Sequence, residues 1–389
     1  MRKWMNRVAW FVFPVAALLL GEPAVSRAGE PDYAAAADYS TKFAGRAVLV
    51  MRKGEVVFER YDRGWSAEKP HPLASGTKSF SGVMAMMAVQ DGLMTLDERA
   101  CETLTEWKSD PEKSKITVRH LLTLSSGLET GDKVFGGGSG SRLLGEGAVR
   151  RAERLGLDEK AGRPENNFLA ALGVKMSGTA GGQFEYGPSH YYAFGELLQR
   201  KLKVKDPKAT VLGYLQSRVL EPVGIQVARI GRDKAGNPNL PGGMLLTARE
   251  WAKFGQFVLD DGSVKQADGS MKSLLKPELL AECFEPSEKN GSYGLTWWLL
   301  AEGDAGADAD AGGRFSKARV LKEQNRAVAG PDGKPMRVYM AAGLGKQRLY
   351  VLPQYDLVVV RFAEAAMAGA RFDNAAFLKP IVGSEGAGR

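Results

Sequence analysis

The stretch that most constrains the fold is an apolar run in the first quarter of the chain. Residues 83–89, Val-Met-Ala-Met-Met-Ala-Val, are apolar on every side of a helix, so a helix here must be buried. Ser75 and Lys78 precede the run and are three residues apart. A helix that begins at Ser75 and ends near Gly92 would therefore place both side chains on one face. The sequence predicts a buried helix with a hydroxyl and an amine in reach of one another at its N-terminus.

This serine and lysine have two interpretations. A rigid support and the positive end of a helix both suit a nucleophile, but serine is also a preferred cap at a helix N-terminus. The same spacing occurs by chance at Ser66 and Lys69, where Pro70 and Pro72 predict an extended loop. Only Ser75 opens a long apolar helix. The spacing alone leaves both interpretations open.

The N-terminus has the three-part layout of a secretory signal. Three basic residues precede an apolar run from Val8 to Leu20, and small residues follow up to Ala28. The run is short for a membrane span, although an uncleaved N-terminal anchor is an alternative. We expect residues 1–28 to be a signal peptide and the protein to be exported, to a periplasm or outside the cell, with no membrane span after cleavage.

Composition excludes several classes of function. The 389 residues are 44% apolar and 25% charged, which is typical of a soluble globular chain. The net charge of +8 is scattered, and no basic run with aromatic residues indicates nucleic-acid binding. Neither Cys101 nor Cys283 has metal-ligand spacing with the three histidines, so we predict no metal and no cofactor. The two cysteines could pair or could be buried thiols. The sequence does not indicate an oligomeric state.

Strand-like segments lie at both ends of the chain, and helical ones lie between them. Residues 47–51 and 55–61 predict a hairpin after a helix at residues 34–43. We therefore predict an α/β (α+β) fold with one antiparallel sheet built from both ends of the chain and flanked by helices. The C-terminal segments are strands at residues 293–299, 337–341, 348–352 and 357–361, followed by a helix from Asn374 to about Leu378.

The predicted domain division follows from this pattern. Residues 29–104 and 286–389 form the sheet domain, and residues 105–285 form a helical domain with helices at 191–203 and 248–259. Two segments read as insertions: a glycine-rich, then charged stretch at residues 129–182, which we interpret as a surface flap, and an Asp-, Ala- and Gly-rich patch at residues 303–313, predicted to be disordered. The serine would lie at the seam between the domains.

Several ordered blocks resemble a known family. They are Ser75 to Lys78, Ile116 to Leu128, Phe184 to Gly187 with Gly195, Gly243 to Phe254, and Tyr293 to Trp298. Over roughly residues 45–365 the chain is similar to the serine β-lactamase-like hydrolases, and within them to the branch of class C β-lactamases, esterases and 6-aminohexanoate-dimer hydrolases. The resemblance implies the penicillin-binding-protein fold, an antiparallel sheet with flanking helices plus an all-helical domain. It also implies that Ser75 is the nucleophile.

The resemblance assigns further residues. Tyr186 is at the first position of a Tyr-x-Asn motif and implies a catalytic tyrosine that shares a proton with Lys78. Both groups titrate near pH 10 in water and would need pKa values lowered by about 3 to act near pH 7. We expect the Lys78 cation to favour the phenolate. Tyr191 and Tyr192 are alternatives that we expect in the core. The oxyanion hole would be the N–H groups of Ser75 and Leu344.

The sequence departs from the family pattern at two places. Pro188 replaces the Asn of Tyr-x-Asn, and Ala341 takes the place of the cation in a Lys-Thr-Gly or His-x-Gly strand motif. Because that cation commonly binds a substrate carboxylate, its loss argues against β-lactam and D-alanyl substrates. Gly343 is retained, where the backbone is expected to approach the substrate closely. We also expect Trp297 to line the substrate pocket, with Trp298 as the alternative.

The predicted function is an exported serine hydrolase that forms a covalent acyl-enzyme with a small-molecule ester, amide or peptide. One alternative is a D,D-peptidase or β-lactamase. Another is a non-catalytic envelope binding protein of the same fold, because Pro188 and Ala341 replace binding groups. A third alternative is a Ser-His-Asp hydrolase that uses His190, although the chain has no Gly-x-Ser-x-Gly elbow.

Overall fold

The computed structural model describes residues 30–135, 164–300, 328–330, 333–364 and 372–383. The predicted signal at residues 1–28, most of the predicted flap and the predicted insertion at residues 303–313 lie outside the described residues. In the parts of the chain that are described, no helix is both long enough and apolar enough to cross a bilayer.

A six-stranded antiparallel sheet forms the centre of the fold. Its strand order is β2-β1-β11-β10-β9-β8, so strands from the two ends of the chain lie side by side, which confirms the predicted assembly. A small sheet pairs β5 with both β3 and β4, and β6 pairs with β7. The strands are β1 (Gly45–Arg52), β2 (Glu55–Tyr61), β3 (His71–Pro72), β4 (Arg229–Ile230), β5 (Met244–Leu246), β6 (Ser263–Lys265), β7 (Met271–Ser273), β8 (Trp298–Leu300), β9 (Val338–Gly343), β10 (Gln347–Leu352) and β11 (Leu357–Ala363).

Helices cover both faces of this sheet. Every residue of β10 and β11 is buried, as expected for strands that are covered on both sides. The described helices are α1 (Tyr33–Lys42), α2 (Ser79–Gln90), α3 (Val118–Leu122), α4 (Asp132–Phe135), α5 (Asn167–Leu172), α6 (Ser189–Lys205), α7 (Val211–Leu215), α8 (Glu221–Val223), α9 (Ala248–Leu259), α10 (Pro277–Ala281) and α11 (Asn374–Val382). The predicted helices at residues 34–43, 191–203 and 248–259 are confirmed, and the C-terminal helix extends four residues further than predicted.

The two faces of the sheet are covered by different helices. Helix α9 lies so close to one face that a Cβ on Gly255 would sit 2.5 Å from Val358 and 2.8 Å from Leu349. On the other face, the Tyr350 hydroxyl donates to Asn374 of α11, and the Asp32 N–H donates to Pro380 O across 2.7 Å, joining the start of α1 to α11. The division into domains at residues 105 and 285 stays a prediction.

The predicted central helix is buried, but it begins differently. Residues 79–88 of α2 are all buried, as the apolar run predicts. Ser75, however, lies in a 3₁₀ turn (Ala74–Lys78) that leads into α2, so the prediction of an α-helix starting at Ser75 is wrong. A 3₁₀ turn has three residues per turn and therefore aligns positions i and i+3 more directly than an α-helix does.

Two other expectations about local structure are wrong. The predicted strand at residues 293–299 is a turn followed by the short β8: Thr296 has a φ of 69°, and a Cβ on Gly294 would meet Cys283 O at 2.3 Å. The predicted all-helical segment also contains β4 to β7, whose two or three residues each are too few to leave a periodic pattern. Cys101 and Cys283 are both buried free thiols.

Candidate active site

The structure brings Ser75 and Lys78 together. The Lys78 Nζ donates to the Ser75 Oγ across 3.1 Å, and the lysine side chain is buried. Ala74, directly before the serine, has a φ of 48°, a left-handed conformation that costs an L-residue about 1–2 kcal/mol. Gly76, the residue after the serine, packs on Trp251. A Cβ added to Gly76 would lie 2.7 Å from the Trp251 ring. The residue before the serine is therefore left-handed, and the residue after it is held by packing against Trp251.

The second acceptor of the Lys78 amine is a backbone carbonyl. Pro241 O lies 2.7 Å from the Lys78 Nζ. The segment that supplies it is attached to the serine turn, since Met244 N donates to Thr77 Oγ1 and Leu73 N donates to Met244 O. Pro241 leaves no signal in the sequence, because any residue type supplies a carbonyl. This carbonyl gives Lys78 a fixed acceptor although Pro188 replaces the motif's amide.

Two tyrosine rings enclose the lysine amine. Its Nζ is 5.0 Å from the centroid of the Tyr186 ring and 5.3 Å from that of Tyr191. The Tyr191 hydroxyl shares a hydrogen bond of 2.8 Å with Tyr293, and Tyr191 is buried, as expected of a core residue. Tyr191 thus packs its ring against the Lys78 amine while its hydroxyl bonds to Tyr293, a role that the sequence did not indicate.

The environment of Tyr186 favours a protonated hydroxyl. Burial raises the pKa of Tyr186 to about 12, while interactions with the Ser75 hydroxyl and the charge of Arg348 lower it by less. The expectation that this pKa falls toward 7 is wrong, because burial disfavours the charged phenolate more than the neighbouring groups favour it. A neutral phenol can donate a proton to a leaving group, which is the role of a general acid.

A buried histidine positions the segment before Tyr186. The His190 Nε2 donates to Glu185 O across 2.8 Å, which leaves Nδ1 to accept from the Ser126 hydroxyl at 2.8 Å. Burial, together with the nearby Lys78 charge, lowers the pKa of His190 to about 4. His190 is fully buried and contacts a carbonyl and a serine rather than a carboxylate, which argues against the Ser-His-Asp alternative.

Strand β9 passes directly behind the serine turn. A Cβ on Gly343 would lie 2.0 Å from Leu73 O, so glycine is required here by the protein's own backbone. Gly343 was expected to make room for substrate, but the atom it makes room for in the structure is Leu73 O. Ala341 is fully buried, whereas the Leu344 side chain at the end of β9 is 48% exposed. Leu344 begins the turn from β9 to β10. Its N–H is the group predicted to form the oxyanion hole together with the N–H of Ser75.

The two adjacent tryptophans point to different environments. Trp297 is fully buried, and its ring centroid lies 5.7 Å from that of Phe254 and 5.5 Å from that of Phe284. Trp298 instead stacks on Tyr186 at 5.8 Å. The structure thus places Trp297 in the core and its neighbour beside the catalytic candidate, because successive residues entering a strand point to opposite faces.

The second serine–lysine pair does not form a similar arrangement. Ser66 is exposed in a loop, as predicted, and the Lys69 Nζ lies over the Trp65 ring at 4.2 Å. Within the described ranges, no cluster of three or more His, Cys, Asp or Glu residues could hold a metal ion.

A nucleophile-bearing helical turn beside an antiparallel sheet is the arrangement of serine hydrolases with the β-lactamase and penicillin-binding-protein fold. Comparison of the sequence with protein families agrees: the model of the Beta-lactamase family matches residues 31–378. The chain belongs to this family of serine hydrolases, which confirms the predicted family and fold class.

Individual relatives are distant. The chain is 27% identical over 173 residues to monacolin J acid methylbutanoyltransferase of Aspergillus terreus, which covers 41% of this chain and 37% of that one. It is 22% identical over 260 residues to the 6-aminohexanoate-dimer hydrolase of Paenarthrobacter ureafaciens, covering 65% of this chain and 63% of the relative. The chain therefore spans less than two thirds of the length of either relative.

Among solved structures, the fold resembles that of EstCE1, described as a hydrolase with promiscuous acyltransferase activity. The two have a TM-score of 0.58 and 14% sequence identity over 90% of this chain and 98% of that one. At this identity the likeness supports the fold alone.

Proposed function

We propose that the protein hydrolyses an ester or amide through a covalent acyl-enzyme on Ser75. The observation that carries the proposal is the Lys78 amine, held 3.1 Å from the Ser75 Oγ and 2.7 Å from Pro241 O. A base within hydrogen-bond distance of a serine is the arrangement that nucleophilic catalysis requires.

Each residue has a defined role in the proposed reaction. The Lys78 amine, in its neutral form, accepts the Ser75 proton as the Ser75 Oγ bonds to the substrate carbonyl carbon. Tyr186 donates its proton to the leaving alcohol or amine and regains one from the Lys78 ammonium. The carbonyl oxygen, now an oxyanion, accepts hydrogen bonds from the N–H groups of Ser75 and Leu344. Water then attacks the acyl-enzyme, and its proton follows the same route.

The surroundings of the site favour an uncharged acyl donor. Ala341 offers no cation to a substrate carboxylate, the Leu344 side chain is exposed, and Tyr186 and Trp298 present aromatic rings. Relatives named as hydrolases or acyltransferases of amide and ester chemistry agree with this class. We therefore propose a small ester or linear amide rather than a β-lactam or D-alanyl peptide.

We also propose that the protein is exported, because residues 1–28 have the layout of a secretory signal. N-terminal sequencing of the protein from the cell envelope or medium should begin at Gly29. An intact Met1 or Arg2 in the mature protein would contradict cleavage.

The catalytic proposal is tested with p-nitrophenyl esters of short acids and a fluorophosphonate probe. Wild type should release nitrophenol and be labelled, and Ser75→Ala should lose both, with a rate at least about 1,000-fold lower. Ser66→Ala is the matched control, because it removes the other serine of the same spacing, and it should be as active as wild type.

Two outcomes would contradict the proposal. Full activity in Ser75→Ala would exclude this serine as the nucleophile. Absence of both labelling and hydrolysis in wild type would favour a binding protein. A fluorescent penicillin that acylates Ser75 and is then released would instead revive the β-lactamase or D,D-peptidase alternative.

A further inference from the structure

Two arginines are buried side by side beneath the end of strand β9. Arg348 of β10 lies directly opposite Arg361 of β11, and their side chains are 1% and 0% exposed. None of the ion pairs described in the structure involves either guanidinium, and the charges that act on them come from tyrosines and from each other. Placing two like charges together in a protein interior is costly, so hydrogen bonds must compensate for the lost water.

Both guanidiniums donate to backbone carbonyls around one turn, and Arg361 also donates to Ser40 Oγ, Ser40 O and Phe43 O. The Arg348 Nη1 donates to Gly343 O at 3.1 Å and to Gln347 O at 2.9 Å, while the Arg361 Nη1 donates to Lys346 O at 2.8 Å. These carbonyls flank the turn between β9 and β10, in which Gly345 and Lys346 have φ values of 78° and 62°. The two guanidiniums therefore hold a turn of left-handed residues.

One of these carbonyls belongs to the peptide that matters for catalysis. Gly343 O and the Leu344 N–H are the two polar ends of a single peptide group. The peptides of the described residues are trans, so the two ends point in opposite directions. A donor on the carbonyl therefore lies behind the N–H group, and it polarises the peptide so that its N–H becomes a stronger donor.

We propose that Arg348 is a positioning residue of the oxyanion hole, orienting and polarising the Gly343–Leu344 peptide so that the Leu344 N–H stabilises the tetrahedral oxyanion. The inference rests on the proposed function of Ser75. Arg348 would supply a positive charge from behind β9. The cation that the family carries in the strand motif itself is replaced here by Ala341.

The reach of the Arg348 charge agrees with this role. The same guanidinium lowers the pKa of Tyr186, so its field extends through the strand to the side where the reaction takes place. Its Nε has no hydrogen-bond partner among the described residues, so the guanidinium is held by the Nη1 bonds to Gly343 O and Gln347 O and by an interaction with Tyr350.

The test compares Arg348→Met with Arg361→Met. The second variant removes the neighbouring buried charge and the bonds to Lys346 O, Ser40 and Phe43 O, none of which involves the Leu344 peptide. Rates are referred to the number of sites that a fluorophosphonate labels. For Arg348→Met we expect kcat on a p-nitrophenyl ester to fall at least about tenfold with KM changed less than threefold, since loss of one oxyanion donor reduces kcat about 10²–10³-fold. Arg361→Met should retain kcat within about threefold of wild type.

A second measurement reports on the oxyanion hole itself. A thiono ester places sulfur, a weaker hydrogen-bond acceptor, where the oxyanion forms. The ratio of kcat/KM for the oxo ester to that for the thiono ester should fall about tenfold in Arg348→Met and stay unchanged in Arg361→Met. Arg348→Lys, which keeps the charge, should recover part of the lost rate.

The outcomes distinguish this inference from the proposed function. An unchanged oxo-to-thiono ratio in Arg348→Met, or an equal fall in Arg361→Met, would overturn the inference while leaving Ser75 catalysis intact. If both Arg348 variants fail to fold and Arg361→Met folds, Arg348 is a structural residue and the inference is also overturned. Full activity of Ser75→Ala would instead remove the proposed function on which it rests.

Discussion

The hydroxyl of Tyr186 can be removed without disturbing the packing around it. In Tyr186→Phe the ring still stacks on Trp298 and still faces the Lys78 amine. Because burial keeps this phenol protonated, we expect the variant to lose proton donation to the leaving group. Its kcat on a p-nitrophenyl ester should fall about 100-fold, with KM and the midpoint of thermal unfolding nearly unchanged.

The matched control is Tyr214→Phe, which removes a hydroxyl that donates to Asp91 at the other end of α2. It should retain the kcat of wild type. Equal activity of Tyr186→Phe and wild type would exclude Tyr186 from the reaction, and Lys78 would then have to protonate the leaving group itself. Steady-state kinetics with an alkyl ester, whose leaving group needs the proton more than nitrophenol does, should show the larger effect.

At the scale of elements, the contact between β9 and the serine turn depends on one missing side chain. A methyl group at residue 343 would lie 2.0 Å from Leu73 O, and the backbone on both sides is fixed by pairing. Gly343→Ala should therefore lower the free energy of unfolding by about 3 kcal/mol and separate Ser75 from the Leu344 N–H, reducing ester hydrolysis. Urea denaturation and kcat/KM measure the two effects.

Gly291→Ala is the control for the glycine itself, because a Cβ there would meet nothing within 4 Å. It should change the free energy of unfolding by less than about 1 kcal/mol. If Gly343→Ala were as stable and as active as this control, β9 would not press against the serine turn in solution.

The link between α6 and the segment at Ser126 should depend on pH. The pKa of His190 is lowered from 6.5 to about 4, so below pH 6.5 the unfolded chain binds a proton that the folded protein excludes. Stability from this histidine is present above pH 6.5 and is lost as the pH falls toward 4, by about 3 kcal/mol.

Comparison with His190→Gln isolates this contribution, because burial also lowers the pKa values of His71 and His120, which remain in both proteins. Between pH 6.5 and 4, the free energy of unfolding should fall more steeply in wild type than in the variant. Parallel pH profiles from chemical denaturation would show that His190 is protonated in the folded protein as readily as in the unfolded chain.

At the scale of the whole molecule, the last helix completes the core. Phe377, Leu378 and Ile381 of α11 are fully buried, and burial of three such side chains contributes about 6 kcal/mol. Because the free energy of unfolding of ordinary domains is only about 5–15 kcal/mol, a chain that ends at Glu364 should be largely unfolded at 37 °C. A chain that ends at Gly383 is the control and should show the circular dichroism and melting curve of the full-length protein. A cooperative transition in the shorter chain would contradict this prediction.

The sequence predicted the parts of the molecule that local patterns encode. The strand-like segments at residues 47–51 and 55–61 and the all-apolar run of α2 indicated the correct elements, and ordered motifs indicated the family. The 3₁₀ turn at Ser75 was missed because it differs from an α-helix by tertiary packing on Trp251 and Leu73 rather than by residue type. The direction of the Tyr186 pKa shift was also missed, since it depends on how deeply the fold buries the phenol.

The contact between Leu73 and Gly343 also sets an order of events in time. A chain that emerges from its N-terminus first carries the serine and the lysine long before it carries the strand that ends at the proposed oxyanion donor, Leu344. The two parts meet only when β9 to β11 have been added beside β1. The proposed nucleophile therefore stays without its proposed oxyanion donor until the last strands of the sheet have been made.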